Sequence, residues 1–174
     1  MRSICIIVSF FFFQSFFGQQ NVFDVARKGT VDEMKAIVKQ NPEAVNSVNE
    51  EGYSPLILAC YKGNLTVAEY LVLKVKNING SSSMGTPLMA AVVKKYPAIV
   101  KLLLENNADV NIADANGTTA LIYAAMFKNY DIALLLIKAK ASPDAKDNRG
   151  NSALDYAILA NDDKLIEILK TKQI

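Results

Sequence analysis

Leucine recurs at positions 56, 88, 121 and 154, at spacings of 32, 33 and 33 residues. Alanine keeps the same register at Ala59, Ala91, Ala124 and Ala157. A third apolar column, Leu71, Leu103, Leu136 and Leu169, follows each first leucine by 15 residues. Polar, turn-forming stretches precede each leucine: Asp114-Ala115-Asn116-Gly117-Thr118-Thr119, Asp147-Asn148-Arg149-Gly150-Asn151-Ser152 and Asn49-Glu50-Glu51-Gly52-Tyr53-Ser54. A looser copy runs through Met84-Gly85-Thr86-Pro87-Leu88, and a weaker one begins at Val22-Phe23-Asp24-Val25-Ala26-Arg27-Lys28-Gly29. A fixed period of this length specifies a stacked array rather than a single closed globule.

Each period predicts a turn and two helices. Asp114 or Asp147 can bond its own turn backbone, and Gly117 or Gly150 accepts a positive φ at low cost. Thr or Ser then caps the first helix, with Pro55 or Pro87 at its first position. Leucine and alanine at helical spacing give this helix an apolar face of small residues, open to close approach. The second helix carries apolar residues three and four apart: Val67, Tyr70 and Leu71; Ile99, Leu102 and Leu103; Ile132, Leu135 and Leu136. One such hairpin cannot bury its apolar face alone, so stacked neighbours must cover one another. Leu103→Ala or Leu136→Ala should then cost about 2–5 kcal/mol, as for a buried leucine. At the ends, Arg27, Lys28, Asp32, Glu33 and Lys35, and Asp162, Asp163, Lys164, Glu167, Lys170 and Lys172, predict wet outer faces.

Ser54-Pro55-Leu56, Thr86-Pro87-Leu88 and Asn107-Ala108-Asp109-Val110-Asn111 resemble the ankyrin repeat over roughly residues 21 to 174. The resemblance implies an all-α solenoid with β-turn tips, built of about five helix-turn-helix repeats near residues 21–48, 49–80, 81–113, 114–146 and 147–174. The motif is specific for fold and silent about chemistry. Two departures stand out. The family's histidine after Thr-Pro-Leu is replaced by Ile57, Met89, Ile122 and Asp155, removing a group that ties adjacent repeats together. Counting back from Leu88 puts Met84 in the turn-glycine column, which predicts irregular geometry over Ser81-Ser82-Ser83-Met84.

The N-terminus has a different pattern. Met1-Arg2 leads into Ile4-Cys5-Ile6-Ile7-Val8-Ser9-Phe10-Phe11-Phe12-Phe13 and a short polar stretch. A basic start, a short apolar run and a small residue before polar sequence predict a secretory signal over residues 1–18, removed after Gly18. The run is shorter than the roughly 20 residues of a membrane helix. The expected destination is a periplasm or the outside, with no stable membrane insertion after cleavage. An uncleaved N-terminal anchor is the alternative, and a cytosolic adaptor the alternative if the run is not a signal.

Composition removes function classes. Lys and Arg total 19 against 17 Asp and Glu, and loss of Arg2 leaves 18 against 17. A nearly neutral chain argues against nucleic-acid binding, which needs a basic excess. The excess of lysine over arginine, with frequent Asn and Ile, points to an AT-rich bacterial genome. No histidine is present, which excludes Ser-His and Cys-His catalysis and histidine metal sites. Gly80 and Gly85 are too scattered for a phosphate loop. Asp162-Asp163 is expected to supply negative charge at a helix N-terminus. Cys60 would be the sole cysteine of a processed chain and reads as a buried small hydrophobe. The expectation is a protein with no cofactor, no metal and no enzymatic activity.

What remains is surface. In the ankyrin family the usual contact positions are the turn tips and the ends of the first helices, on the concave side. Carried across, the helix ends give a row Arg27, Tyr61, Val93, Met126 and Leu159, beside a row Lys28, Lys62, Lys94, Phe127 and Ala160. The turn tips add Tyr53, Asn116, Thr118, Asn148 and Arg149. The candidate binding residues are Tyr53, Tyr61, Lys62, Val93, Lys94, Met126, Phe127, Asn116 and Arg149. Apolar groups held at a solvent-facing position form interaction hot spots. The other reading of the same residues is that Met126 and Phe127 fold back onto neighbouring helices and the lysines are merely solvated. On the first reading, Tyr61→Ala with Phe127→Ala abolishes binding at a nearly unchanged thermal midpoint. The expected function is an exported monomer that docks one protein partner on this face. An immunity-type inhibitor of a toxin or enzyme in the envelope is the alternative use of the same surface.

Overall fold

A computed structural model describes residues 21–83 and 85–170. The expected signal over 1–18, Met84 and Lys172 lie outside the described residues. The described residues form five helix pairs: α1 (Val22–Lys28) and α2 (Val31–Gln40), α3 (Pro55–Lys62) and α4 (Leu65–Val72), α5 (Pro87–Val93) and α6 (Pro97–Glu105), α7 (Ala120–Met126) and α8 (Tyr130–Lys138), α9 (Ala153–Leu159) and α10 (Asp163–Lys170). A 3-10 turn over Pro42–Asn46 follows α2. First helices pack on first helices in chain order, from α1 through α3, α5 and α7 to α9. Second helices α2, α4, α6, α8 and α10 form a parallel layer outside them. No strand occurs among the described residues; the turns carry only isolated bridges such as Ala113 with Thr119 and Lys146 with Ser152.

The sequence columns are the core. Ala59, Ala91, Ala124 and Ala157 are all fully buried where first helices touch, and Leu71, Leu103 and Leu136 are fully buried beneath the second helices. A side chain larger than alanine in that first column would push successive helices apart. Leu154 is only half-buried, because no further helix pair covers α9 among the described residues. Ser54, Thr86, Thr119 and Ser152 cap the first helices by accepting the backbone N–H of Ile57, Met89, Ile122 and Asp155. Each such cap is worth roughly 0.5–2 kcal/mol.

Three of the four residues at the histidine column are fully packed, Ile57, Met89 and Ile122 being each 1% exposed, while Asp155 is half-buried. The ties between repeats are supplied elsewhere, by asparagine. Asn64 Nδ2 donates to the carbonyl of Gly29 and Asn129 Nδ2 to that of Val92, both at 2.9 Å. In the outer loops, the Oδ1 atoms of Asn46, Asn79 and Asn111 accept the backbone N–H of Lys76, Asp109 and Ser142 at 2.9, 2.9 and 2.8 Å. Each asparagine thus bonds a main-chain group of the adjacent repeat; the Val92 carbonyl also accepts the Lys95 N–H at 3.0 Å.

The third turn corrects the alignment. Gly85, one position past the expected column, holds the glycine conformation, with φ of +78°. Its N–H donates to the carbonyl of Ser82 at 2.9 Å, as that of Gly117 does to Asp114. On the return, Ser82 N–H reaches the carbonyl of Gly85, whereas Asp114 N–H reaches one residue further, to Thr118. The turn has lost the residue between its glycine and the helix cap, and this deletion makes the spacing from Leu56 to Leu88 32 instead of 33. The C-terminal end also differs from expectation. Asp162 is not on a wet face but 8% exposed, accepting the Tyr130 hydroxyl at 2.9 Å and the N–H of Leu165 at 3.1 Å. The second of these bonds is the expected helix N-terminal role.

Candidate partner-binding surface

The stack aligns the ends of the first helices, because each helix has nearly the same length and begins at an equivalent cap. Tyr61, Val93, Met126 and Leu159 therefore fall at the same place on successive first helices, with Lys62, Lys94 and Phe127 next to them. Tyr53, Asn116 and Arg149 belong to the turns, at the opposite ends of the same helices. The separation is one helix of seven or eight residues, about 10–12 Å.

The row is not uniform. Tyr61 is half-buried and packs against the core, with its ring exposed to two ammonium groups. Lys94 Nζ lies 4.7 Å and Lys62 Nζ 5.7 Å from the ring centroid, within the range of cation–π attraction. Val93 is half-buried. Beyond it the face turns apolar: Met126 is 42%, Phe127 39% and Leu159 70% exposed. Phe127 stacks on Tyr123 with centroids 6.2 Å apart and planes 4° from parallel. Its carbonyl accepts Lys95 Nζ at 3.0 Å. Phe127 is thus stacked on a residue of its own helix rather than folded onto a neighbouring one, and it stays 39% exposed.

Sequence reasoning missed the tyrosines beneath this face. Tyr123 donates its hydroxyl to Asp114 Oδ2 at 2.6 Å, and Tyr156 does the same to Asp147. Each bond runs from the first helix back to the turn that precedes it, so it fixes the turn tip relative to the helix. Burial, reinforced by the Asp114 carboxylate, pushes the Tyr123 hydroxyl up to about 12. The signal was present as an Asp and a Tyr nine residues apart in two consecutive repeats. The turn tips are also joined to one another. Asn148 N–H donates to the carbonyl of Asn116 at 2.9 Å, and Asn148 Nδ2 to that of Ala115 at 3.2 Å. Asn116 and Arg149 are exposed, whereas Tyr53 is half-buried, its hydroxyl 3.4 Å from Ser83 Oγ. Tyr53 therefore braces the third turn more than it faces outward.

The chemistry elsewhere is sparse. Cys60 is fully buried, and desolvation raises its thiol far above the ordinary range. Among the described residues no three His, Cys, Asp or Glu side chains come together as metal ligands. No described helix is long and apolar enough to cross a membrane.

The model of ankyrin repeats matches residues 22–114 and 88–174, nearly all of the described chain. The chain belongs to the ankyrin repeat family. Its repeats are 34% identical to a stretch of 116 residues in the rat Ankyrin repeat and SAM domain-containing protein 6, covering 66% of this chain and 13% of that protein. They are 36% identical over 96 residues to a fowlpox virus protein named for ankyrin repeats, covering 55% of this chain and 50% of the relative. A similarly named protein of Escherichia coli is 36% identical over 95 residues, covering 51% and 47%. The chain thus spans half or less of each of these relatives. Ankyrin repeats typically serve as protein–protein interaction modules and are in general a non-enzymatic binding fold.

Proposed function

We propose that this ankyrin repeat protein is an exported, non-enzymatic binding protein that docks one protein partner on the concave face made by its turn tips and first helices. The observation that carries the reading is the exposed apolar row Met126, Phe127 and Leu159, 42%, 39% and 70% exposed, continuous with the lysine-flanked Tyr61. Large apolar side chains gathered at one edge of a rigid scaffold lose little conformational freedom on binding. Export rests on the charge and hydrophobicity pattern of residues 1–18.

The test is capture of partners from envelope extract by the tagged protein, beside a Met126→Gln/Leu159→Gln variant. Both residues are exposed, and glutamine keeps helix propensity, so the fold is expected to survive and circular dichroism checks it. Tyr61 is a poorer probe, since it packs on the core and its truncation costs stability. A protein held by the wild type and lost by the folded variant supports the reading. A protein held equally by both moves the site to another face. Mass spectrometry of the N-terminus tests export: a processed chain supports it, and an intact Met1 in the cytosolic fraction sinks it.

A further inference from the structure

The face is chemically divided along its length, and this division specifies the segment it would take. In the first three repeats the outer of the two rows is Lys28, Lys62 and Lys94; in the fourth it is Phe127. Among the described residues, none of the three lysines has a carboxylate partner. The other cations on these helix ends are committed. Arg27 pairs with Asp24 at 3.0 Å, Lys128 Nζ lies 3.7 Å from Asp162, and Lys95 is bonded to the Phe127 carbonyl. The carboxylates of the helix ends, Asp24 and Asp162, are thereby spent on Arg27 and Lys128. Lys62 and Lys94 are held instead over the Tyr61 ring, which orders their ammonium groups without neutralising them. The two adjoining exposed groups at the C-terminal half, Met126 and Leu159, carry no charge at all.

We infer that the docking face recognises an extended segment of its partner in which two acidic side chains lie to one side of a large apolar one. This inference rests on the docking reading above and adds the chemistry of the occupant. Carboxylates meet Lys62 and Lys94, and the apolar side chain packs on the exposed Met126 and Phe127. The spacing follows from the stack. Packed helices lie about 8–10 Å apart, and an extended chain rises about 3.3 Å per residue. Successive repeats are therefore matched by every third residue of the segment. Two acidic residues three apart, with the apolar residue three further on, satisfy the second to fourth repeats. The charges set orientation and encounter rate, and the apolar contact slows release.

A display library of random dodecapeptides panned against the full protein tests this directly. The expected enrichment is for two Asp or Glu three residues apart with Phe, Leu or Met a further three residues along, in either chain direction. A fluorescein-labelled member of the enriched set should bind about tenfold or more weakly to Lys62→Glu/Lys94→Glu. Its affinity should also fall steeply as salt is raised, since these lysines are exposed. Enriched peptides that are neutral or basic, yet lost with Met126→Gln/Leu159→Gln, would overturn the inference and leave the docking reading standing. Peptides indifferent to both variants would overturn both. No enrichment overturns the inference, and the capture experiment then decides the docking reading alone.

Discussion

Gly85→Ala should be far more damaging than Gly52→Ala, although both glycines sit at the same turn position of consecutive repeats. Their backbones are nearly identical, with φ of +78° and +81°. An L side chain in this region costs about 1–2 kcal/mol, offset by about 0.4–1 kcal/mol from a stiffer unfolded chain. Gly52 carries only that net cost, since a Cβ there meets nothing within 4 Å. At Gly85 a Cβ would lie 2.3 Å from Met89 Sδ and 3.4 Å from Met89 Cβ. Met89 cannot swing away cheaply: it is 1% exposed, and its sulfur receives the N–H of Thr86 at 3.5 Å. The crowding exists because this turn lacks the residue that separates glycine from helix cap in the other repeats. Overpacking adds about 1–3 kcal/mol, which brings Gly85→Ala to roughly 2–4 kcal/mol against about 1 kcal/mol for Gly52→Ala. Urea unfolding followed by far-ultraviolet circular dichroism measures the difference, and the matched φ values cancel the backbone contribution. Equal midpoints for the two variants would refute the reasoning, because they would mean that the shortened turn holds no buried contact.

The asparagine ties predict that Asn129→Ala costs about 0.5–1.5 kcal/mol, the net worth of a hydrogen bond, since the Val92 carbonyl keeps the Lys95 N–H but loses its link to the next repeat; an unchanged midpoint in urea unfolding would remove Asn129 from the set of inter-repeat ties. Acid should destabilise the C-terminal repeats. The Tyr156 hydroxyl, then the Asn151 N–H, hold Asp147 below its ordinary 3.8, and the Ser152 backbone and hydroxyl do the same for Asp155. Groups with depressed folded values contribute stability that is fully present above the ordinary carboxylate range and is lost as pH falls through and below it. The unfolding midpoint should therefore drop below about pH 4, and drop less steeply in Tyr156→Phe. Cys60 should resist a water-soluble thiol reagent until the protein is unfolded, and rapid labelling of the native protein would contradict its complete burial.

The fold was legible because the same physical demand recurs in every repeat. A helix that packs on its predecessor needs alanine at the contact and leucine beneath, so burial writes a period into the chain. The third turn was misplaced for a reason that counting cannot repair. A spacing of 32 says that one residue is missing but not where, and counting from Leu88 assigned the loss upstream of the glycine. Only the positive φ and the hydrogen bonds of Gly85 place it downstream. The same limit applies to the missing histidine. Its loss suggested weaker coupling between repeats, yet Ile57, Met89 and Ile122 fill that space with buried apolar volume, and Asn46, Asn79 and Asn111 carry the polar coupling in the outer loops. An asparagine column 33 and then 32 residues apart is visible in the chain, but its meaning depends on which loops touch.

The candidate face was legible in position and not in character, because periodicity assigns a place and neighbours assign its chemistry. Tyr61 and Met126 occupy equivalent positions. Tyr61 has two lysine ammonium groups near its ring and packs on the core, while Met126 has Phe127 beside it and opens to solvent. Lys62, Lys94 and Phe127 are likewise one column, and the step from cation to aromatic ring in that column is what divides the face. A stack in which every repeat presented the same group would offer a partner no preferred register, since sliding by one repeat would restore every contact. The change of chemistry between the third and fourth repeats removes that degeneracy: only one placement puts carboxylates against the lysines and an apolar side chain against Met126. On the proposed docking reading, the departures from the repeat pattern, rather than the pattern itself, are where specificity would reside.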